Sequence, residues 1–492
     1  MPDLDREVLA RRATLIAELR RIVSDGVVGD DDALVAYDCD ALTAYRQKPL
    51  AVVLPASADQ VSEVLRFCAA NKVKIVPRGA GTSLSGGALP VGDGILLGLS
   101  RMNRILEIDL ENRCAVVQPG VTNLAITRAV EADGFYYAPD PSSQIACTIG
   151  GNVAENSGGI HCLKYGLTTN NLLGVEVALI DGARVRFGGK ALDPGGLDLL
   201  GLVTGSEGLL GVVTEVTVRL RPKPPTAKAM LIAFPSVEAA GQCVADIIAA
   251  GVIPAALEIM DRLALDAVEA YCAPGYAPNA AAMLIAEIDG VEAEVRATCG
   301  EVDLIARKNG ALSCETSASD AERERIWQGR KAAFAAAGRI ARDMLCMDGT
   351  IPRRELPLVL RRIGEMASEF ALPVANVFHA GDGNLHPLIM YDVMKPGELE
   401  RAEKFGAEIL KLCVEVGGVL TGEHGVGVEK RDLMPLMFDP TDLAVQERVK
   451  CAFDPTGLLN PGKVFPSLSA CVEGGVMHVH QGRLPYPNLP RL

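Results

Sequence analysis

VKIVPRGAGTSLSGGALP, residues 73–90, opens with an apolar run from Val73 to Val76 that breaks directly into a loop of small residues. Glycine and serine in such a loop let backbone N–H groups come close to a pyrophosphate. The dinucleotide fingerprint G-x-G-x-x-G is met at Gly79 and Gly81 but fails at Leu84, so a nicotinamide-type Rossmann turn is not supported. Another phosphate cradle and a plain glycine-rich surface turn both stay open. Just upstream, Val61, Val64, Leu65 and Cys68 recur at helical spacing, which predicts helix, strand, then loop.

Working outward, two more glycine-dense stretches follow. Residues 138–166, APDPSSQIACTIGGNVAENSGGIHCLKYG, are too polar for core and too long for an idle loop inside a compact domain. Residues 203–220, VTGSEGLLGVVTEVTVRL, place Gly205, Gly208 and Gly211 before an alternating strand. Between the first and second stretches, RILEIDLENRCAVVQPG reads as two strands around an Asn turn, and VTNLAITRAVEADGF as a helix ended by Gly134. RPKPP, residues 221–225, marks a boundary, since three prolines in five positions continue neither helix nor central strand. Beyond it, strands in AMLIAFP, VIPAALEIMD and AAMLIAEIDG alternate with helices and predict a ferredoxin-like sheet. A helical, Ala-rich stretch at 321–343 and a helix near 397–416 follow. The expected fold class is therefore α+β.

The chain has 492 residues, 49% hydrophobic and 22% charged, which excludes wholesale disorder. With 62 acidic against 48 basic residues its net charge is -14, the wrong sign for nucleic acid or anionic lipid. Its thirteen cysteines are scattered, with no C-x-x-C, and read as reduced thiols of a cytoplasmic protein. That spacing also removes a zinc ribbon or an in-chain iron–sulfur cluster. MPDLDREVLARR lacks a secretory pattern. No apolar run reaches the roughly 18 residues of a membrane span.

The sharper chemistry lies downstream. VANVFHAGDGNLHPLIM sets His379 and His386 seven residues apart around a Gly-Asp-Gly turn, and GGVLTGEHGVGVEK sets Glu423 beside His424. The chain has only six histidines. Two imidazoles and a carboxylate make a site for Zn or another divalent ion with positions left for a substrate. His424, next to a ligand but facing the other way in an extended segment, would be free as a base. His161, in the second glycine stretch, reads as a loop histidine held by backbone rather than a flavin contact. His478 and His480 have ligand-like spacing but no nearby acid or thiol, and suggest a subunit contact.

PRGAGTSLSGG, then PSS near TIGGNVAENSGG, then GSEGLLGVVTEVTVRL resemble, in that order, the flavin domain of the vanillyl-alcohol oxidase and p-cresol methylhydroxylase superfamily. The resemblance implies FAD. Its pyrophosphate cradle would be Pro77, Arg78, Gly79, Ala80, Gly81, Thr82 and Ser83. Ser142, Ser143, Thr148, Gly151, Asn152, Ala154, Ser157 and Val213 would line the flavin and adenine sites, with Asn460 near the flavin. Members that tether the flavin through the first loop carry a histidine near where Thr82 stands, so non-covalent FAD is expected.

HAGDGNLH and GEHGVG resemble the D-lactate, D-2-hydroxyglutarate and glycolate dehydrogenase branch. That resemblance implies His379, His386 and Glu423 as metal ligands, His424 as base, and Arg330 of IWQGRKAAF as the partner of the substrate carboxylate. Trp327 is expected beside Arg330. Hydroxyglutarate-type members carry polar groups near Phe334 and Leu388, so a small hydroxy acid fits better here. Over nearly the whole length, including the tail MHVH-x-G-x-LP-x-P, the chain looks like the FAD-linked subunits of bacterial glycolate oxidases. Glycolate oxidation to glyoxylate is thereby expected, with a D-lactate dehydrogenase and a non-catalytic FAD-binding assembly subunit as alternatives. The same resemblance implies an iron–sulfur partner, a second FAD-binding subunit, delivery of electrons to quinone, and a cytoplasmic protein touching the membrane only through its partner.

The expected organisation is an N-terminal helical segment (1–45), a two-subdomain FAD-binding domain of the p-cresol methylhydroxylase type (46–225) and a ferredoxin-like cap with the metal site (226–440). A C-terminal helical segment returning to the FAD domain (441–466) and a tail (467–492) complete it.

Overall fold

The computed structural model describes residues 2–192 and 195–466; His478, His480 and the tail lie outside the described residues. Ser57 caps the helix Ala58–Asn71 by accepting from the Gln60 N–H at 3.3 Å. The stripe Val61, Val64, Leu65 and Cys68 is fully buried, in one core with strands Ala51–Val53, Gly94–Gly98 and Lys74–Arg78, which pair in parallel. Residues 1–45 hold more than helix: after Arg6–Ala10 and Arg12–Ile22, Val27–Val28 joins this sheet as an antiparallel edge. A second, antiparallel sheet of five strands is centred on Val212–Arg219, the alternating strand after the third glycine stretch. These two sheets form the first half of the molecule.

The cap is one antiparallel sheet of seven strands. Four of them lie in the order Ser313–Thr316, Thr226–Phe234, Ala282–Gly290, Ala256–Asp261. In chain order that is 4-1-3-2, the ferredoxin-like arrangement. Three short strands that the sequence reading does not resolve, Val374–His379, Pro387–Tyr391 and Asp343–Cys346, extend it.

Both faces of this sheet are covered. Met230, Ile232, Phe234, Leu257 and Ile259 enter a core shared with the helices Val237–Ala249, Glu292–Lys308, Leu356–Phe370 and Glu398–Glu415. Ala229, Leu231, Ala233, Ala256 and Met260 point the other way, against the helices Arg262–Cys272 and Asp320–Ala337. Burial on two sides is why AMLIAF runs apolar without alternation. A buried Ile or Phe gains about 1.5–3 kcal/mol of transfer free energy and an Ile loses about 0.5–1 kcal/mol of rotamer freedom, so packing wins at each position. A charged residue at a core position of this sheet is expensive and calls for a partner.

After the helix Pro440–Phe453 the chain returns to the first sheet: the Ile75 N–H donates to the Leu458 carbonyl at 2.8 Å and the Asn460 N–H to the Ile75 carbonyl at 2.7 Å. Lys450 holds this return, donating to the carbonyls of Leu209 and Leu459 at 2.7 and 2.9 Å. Among the described residues eleven cysteines are free thiols. Among the described residues no helix is long and apolar enough to cross a membrane.

Candidate active site

A cavity of about 400 Å³ lies between the first half and the cap. The strand Lys74–Arg78 ends on its rim, and Pro77, Arg78, Gly79, Ala80, Gly81, Thr82 and Ser83 all line it. Glycine is required twice in this loop. A Cβ on Gly79 would strike Thr148 Oγ1, and Gly81 has φ +74° with the Arg78 guanidinium where a side chain would stand. The second stretch brings Ser142, Ser143, Thr148, Gly151, Asn152, Ala154 and Ser157 to the wall, and the third brings Val213. Within the second stretch Ile149–Glu155 is a helix, entered from Thr148. Thr148 Oγ1 and Asn152 Nδ2 are buried with no hydrogen-bond partner in the protein. Buried polar atoms are paired as a rule, so orphaned groups in a glycine-walled cavity fit a polar, phosphate-bearing cofactor such as FAD. Asn460 is the exception among the expected contacts: it does not line the cavity, and its Nδ2 donates to the carbonyls of Gly87 (2.9 Å) and Glu207 (2.7 Å), bracing the wall from behind.

At the cap end the cavity is closed by Phe334, His386, Glu423 and His424. Strand alternation explains the placing of the histidines. Ala375 and Val377 face the Asp320–Ala337 side of the sheet, as do Leu388 and Met390, and His379 and His386 follow the same period of two. Both imidazoles converge on one oxygen, Glu423 Oε1, from His379 Nε2 at 3.2 Å and His386 Nε2 at 3.0 Å. On the far side of each ring, His379 Nδ1 sits 2.7 Å from Glu258 Oε1 and His386 Nδ1 3.3 Å from the Met347 carbonyl. An ionised carboxylate and a carbonyl can only accept. Each Nδ1 thus carries a hydrogen, and each Nε2, turned to Glu423 Oε1, is the atom that a metal ion would take in exchange for the proton held there, the arrangement that orients metal-binding histidines. The donor chemistry therefore fits a divalent ion.

The loop carrying Glu423 and His424 is not the extended segment expected, and the two side chains do not point apart; both reach the cavity. The cause is Asp348, fully buried, whose carboxylate accepts from the N–H groups of Gly422, Glu423 and His424 at 2.9–3.3 Å and from Thr421 Oγ1 at 2.5 Å. Four donors on one carboxylate bend the chain around it. His424 then stacks on His386 with ring centroids 4.9 Å apart and planes 5° from parallel. Its Nδ1 is buried without a partner. Among the described residues, two sets of donor atoms lie within 4.8 Å of one another, Asp348, His386, Glu423 and His424 in one and Cys346, His386 and His424 in the other; the expected ligand His379 is in neither. Asp348 and Cys346 carry no motif that singles them out in the sequence.

Electrostatics separates these imidazoles. Burial disfavours charge on His379, but Glu258 and Glu423 outweigh it and hold the ring well above its ordinary range. His386 is raised to about 10, Cys346 and Glu423 overcoming burial. Burial alone would raise Glu423, yet the two histidines hold it well below the usual carboxylate range. His424 goes the other way, pushed to about 4 by burial first and by His386, with Asp348 opposing. It stands as a neutral imidazole among charged neighbours.

Arg330 is 2% exposed and donates from Nε to Glu258 Oε2 at 2.7 Å; its Nη2 is buried and unpartnered. Neither Arg330 nor His379 lines the cavity itself. Leu388 is packed in the cap core rather than on the cavity wall, whereas Phe334 is on it. Trp327 shares the helix with Arg330, but its Nε1 donates to Glu287 Oε2 at 2.6 Å. His161 touches no part of the cavity; it lies between Asp140 (2.8 Å) and Glu287 (3.3 Å). Glu258 and Glu287 escape the sequence reading. Their signal is present as acids flanked by apolar residues inside the strands ALEIMD and AMLIAEIDG, positions where an uncompensated charge would not survive.

Residues 49–188 match the family of FAD binding domains, and residues 223–464 that of the C-terminal domain of FAD linked oxidases. The chain belongs to the FAD-linked oxidases and is an FAD-dependent oxidoreductase. It is 53% identical over 491 residues to glycolate oxidase subunit GlcD of Escherichia coli (strain K12), covering 100% of this chain and 97% of that one. It is 33% identical to D-lactate dehydrogenase of Archaeoglobus fulgidus, covering 92% of this chain and 99% of that one. Its fold is that of 4-ethylphenol oxidase from Gulosibacter chungangensis, with TM-score 0.78, 20% identity, and 94% and 98% of the two chains covered.

Proposed function

We propose that this chain oxidises a small 2-hydroxy acid, glycolate to glyoxylate first among them, as one subunit of a larger oxidase. The observation that carries the proposal is His424: a half-buried imidazole on the cavity wall, next to Glu423, whose Nδ1 is buried with no partner. Oxidation of a hydroxy acid needs a base at the hydroxyl, and a neutral ring with a free nitrogen is suited to take that proton. Arg330 holds the substrate carboxylate through its unpartnered Nη2 edge. Phe334 narrows the cavity and favours a substrate without a distal polar group. His379, His386 and Glu423, with Asp348 close by, would hold the divalent ion. When bound, that ion would lower the pKa of the substrate hydroxyl, and FAD would accept the electron pair leaving the α-carbon.

The E. coli relative is by name a subunit, and this sequence has no cysteine spacing for a cluster of its own. An iron–sulfur partner with a second flavoprotein subunit is therefore proposed as the outlet for electrons, with the membrane reached through that partner.

The test is anaerobic bleaching of the flavin absorbance near ~450 nm, the usual flavin band, by glycolate, D-lactate, L-lactate and D-2-hydroxyglutarate, with and without chelator. Rapid bleaching by glycolate, lost on chelation, is the expected result. Faster bleaching by D-lactate would replace the substrate. A yellow protein that none of the four bleaches would make this chain an assembly subunit.

A further inference from the structure

The geometry points to Glu258 as a positioning residue that fixes Arg330 and His379 to one another, so that one side chain sets the spacing between carboxylate recognition and the metal-binding imidazole. The inference deepens the 2-hydroxy-acid reading and rests on it.

Glu258 is 1% exposed at the middle of the strand Ala256–Asp261. Its side chain takes the face of the sheet that meets the helix Asp320–Ala337, as do Ala256 and Met260 on either side. Each oxygen has one use: Oε1 lies 2.7 Å from His379 Nδ1 and Oε2 2.7 Å from Arg330 Nε. His379 is its direct cross-strand partner in the antiparallel register. The carboxylate therefore rests on sheet geometry rather than on a loop, the rigid support that a positioned site requires. Arg330 arrives from the helix, four residues before Phe334, which lines the cavity; residues at that spacing share a helix face.

The guanidinium is held at one end only. With Nε on Glu258, its Nη2 is buried and unpartnered, and a buried charged donor is costly to leave unmade. A substrate carboxylate is the anion that completes it. A 2-hydroxy acid carries its hydroxyl and carboxylate on neighbouring carbons, so the groups that receive them must keep a constant separation. Among the described residues, Glu258 bonds both the arginine and an imidazole of the proposed metal site. An ion pair that served packing alone would have no reason to spend one oxygen on each.

The experiment compares full-length wild-type protein carrying its flavin with Glu258→Gln and Glu258→Asp. A glutamine keeps the shape but can accept on one side only, and it offers an N–H to the other donor. Zn²⁺ affinity is measured by competition with a chromophoric chelator, KM and kcat for glycolate with an artificial acceptor, and flavin content from the absorbance. Glu258→Gln is expected to weaken Zn²⁺ binding about 10–100-fold, the usual effect of removing a group behind a metal ligand. It is expected to raise KM about tenfold as well, the loss of roughly one good charge-assisted contact, with flavin content unchanged. Glu258→Asp, drawn back by a methylene, should keep the fold but not restore KM.

A lowered melting temperature with Zn²⁺ affinity and KM both within twofold of wild type would overturn the inference and leave a packing ion pair. Movement of only one of the two would overturn the coupling. If Glu258→Gln fails to accumulate, Glu258→Asp carries the same two readouts. Wild-type protein that binds no Zn²⁺ and is not reduced by glycolate would instead overturn the reading beneath the inference, a different result from an unaffected variant.

Discussion

The same chain of groups is built twice against the cap sheet. In one, Trp327 Nε1, Glu287, His161 and Asp140 follow one another at 2.6, 3.3 and 2.8 Å. In the other, Arg330 Nε, Glu258, His379 and Glu423 follow at 2.7, 2.7 and 3.2 Å. The two glutamates sit on adjacent antiparallel strands and the two donors three residues apart on one helix. Each imidazole lies between two carboxylates. Local chemistry thus does not distinguish them, and a search for perturbed histidines would pick out both: each is raised well above its ordinary range, burial opposing and the acids prevailing. What differs is the surroundings. The outer ring is a quarter exposed and ends on Asp140, in the stretch that also lines the FAD-binding cavity. With Lys164 and Tyr165, which both bond Asp289, it fastens the two halves together. The inner ring is buried and shares its acid with His386, beside a cavity and an unpaired imidazole. Convergence of a third donor on an open cavity, rather than the acid–imidazole pair, marks the site.

The comparison is sharpest where the inner chain ends. His424→Ala should lower turnover a hundredfold or more, the usual cost of losing a general base, in protein that stays folded and yellow. Stopped-flow reduction of the flavin by glycolate is the measure. An unchanged rate would leave the inner cluster as structural as the outer one. Next in size, His379→Gln should weaken Zn²⁺ binding by at least tenfold, because it removes a proposed ligand, and lower glycolate oxidation with it. The matched change in the outer chain, His161→Gln, should leave Zn²⁺ affinity and turnover within about threefold, as expected of a group that touches neither cofactor nor reactants. If the two substitutions cost the same in turnover, the distinction between clasp and site fails.

How much of this is legible in the sequence follows from what each part is made of. The cradle at 77–83 works through backbone, and backbone exposure is written in glycine and serine, so the whole loop can be read from its residue types alone. The ferredoxin-like sheet is readable because three of its strands alternate with capped helices, Ser236 and Asp261 among the caps, while its fourth strand, Ser313–Thr316, is not. The extension by Asp343–Cys346, Val374–His379 and Pro387–Tyr391 is not: four to six residues are too few for a period to stand out. His379, His386, Glu423 and His424 announce themselves as motifs. Glu258 and Asp348 do not, because their partners lie far along the chain. His379 is 121 positions and Arg330 72 positions from Glu258, and the His424 N–H is 76 positions from Asp348. An acid between apolar neighbours signals that a partner exists without saying which. The direction of His424 escapes for a related reason, since the expected alternation holds in strands and this loop is bent around a buried carboxylate.

The smallest effect tests the clasp on its own terms. Removing the His161 ring takes one partner from Glu287, which keeps Trp327 and Arg323. The loss should be about 1 kcal/mol, the scale of a partly exposed ion pair, read as a lower urea midpoint. The pH dependence gives the sign. Because the folded protein holds a proton on His161 more tightly than the unfolded chain does, it binds more protons than the unfolded state at pH values above the ordinary 6.5. The stabilisation is complete below that value and is lost as pH rises toward the raised one. Wild type should therefore exceed His161→Gln by more at pH 6 than at pH 8, the gap closing by no more than about 1.4 kcal/mol per pH unit in that window. A gap independent of pH would mean that His161 is held as a neutral ring by shape and backbone, and that the resemblance between the two chains of groups ends at their geometry.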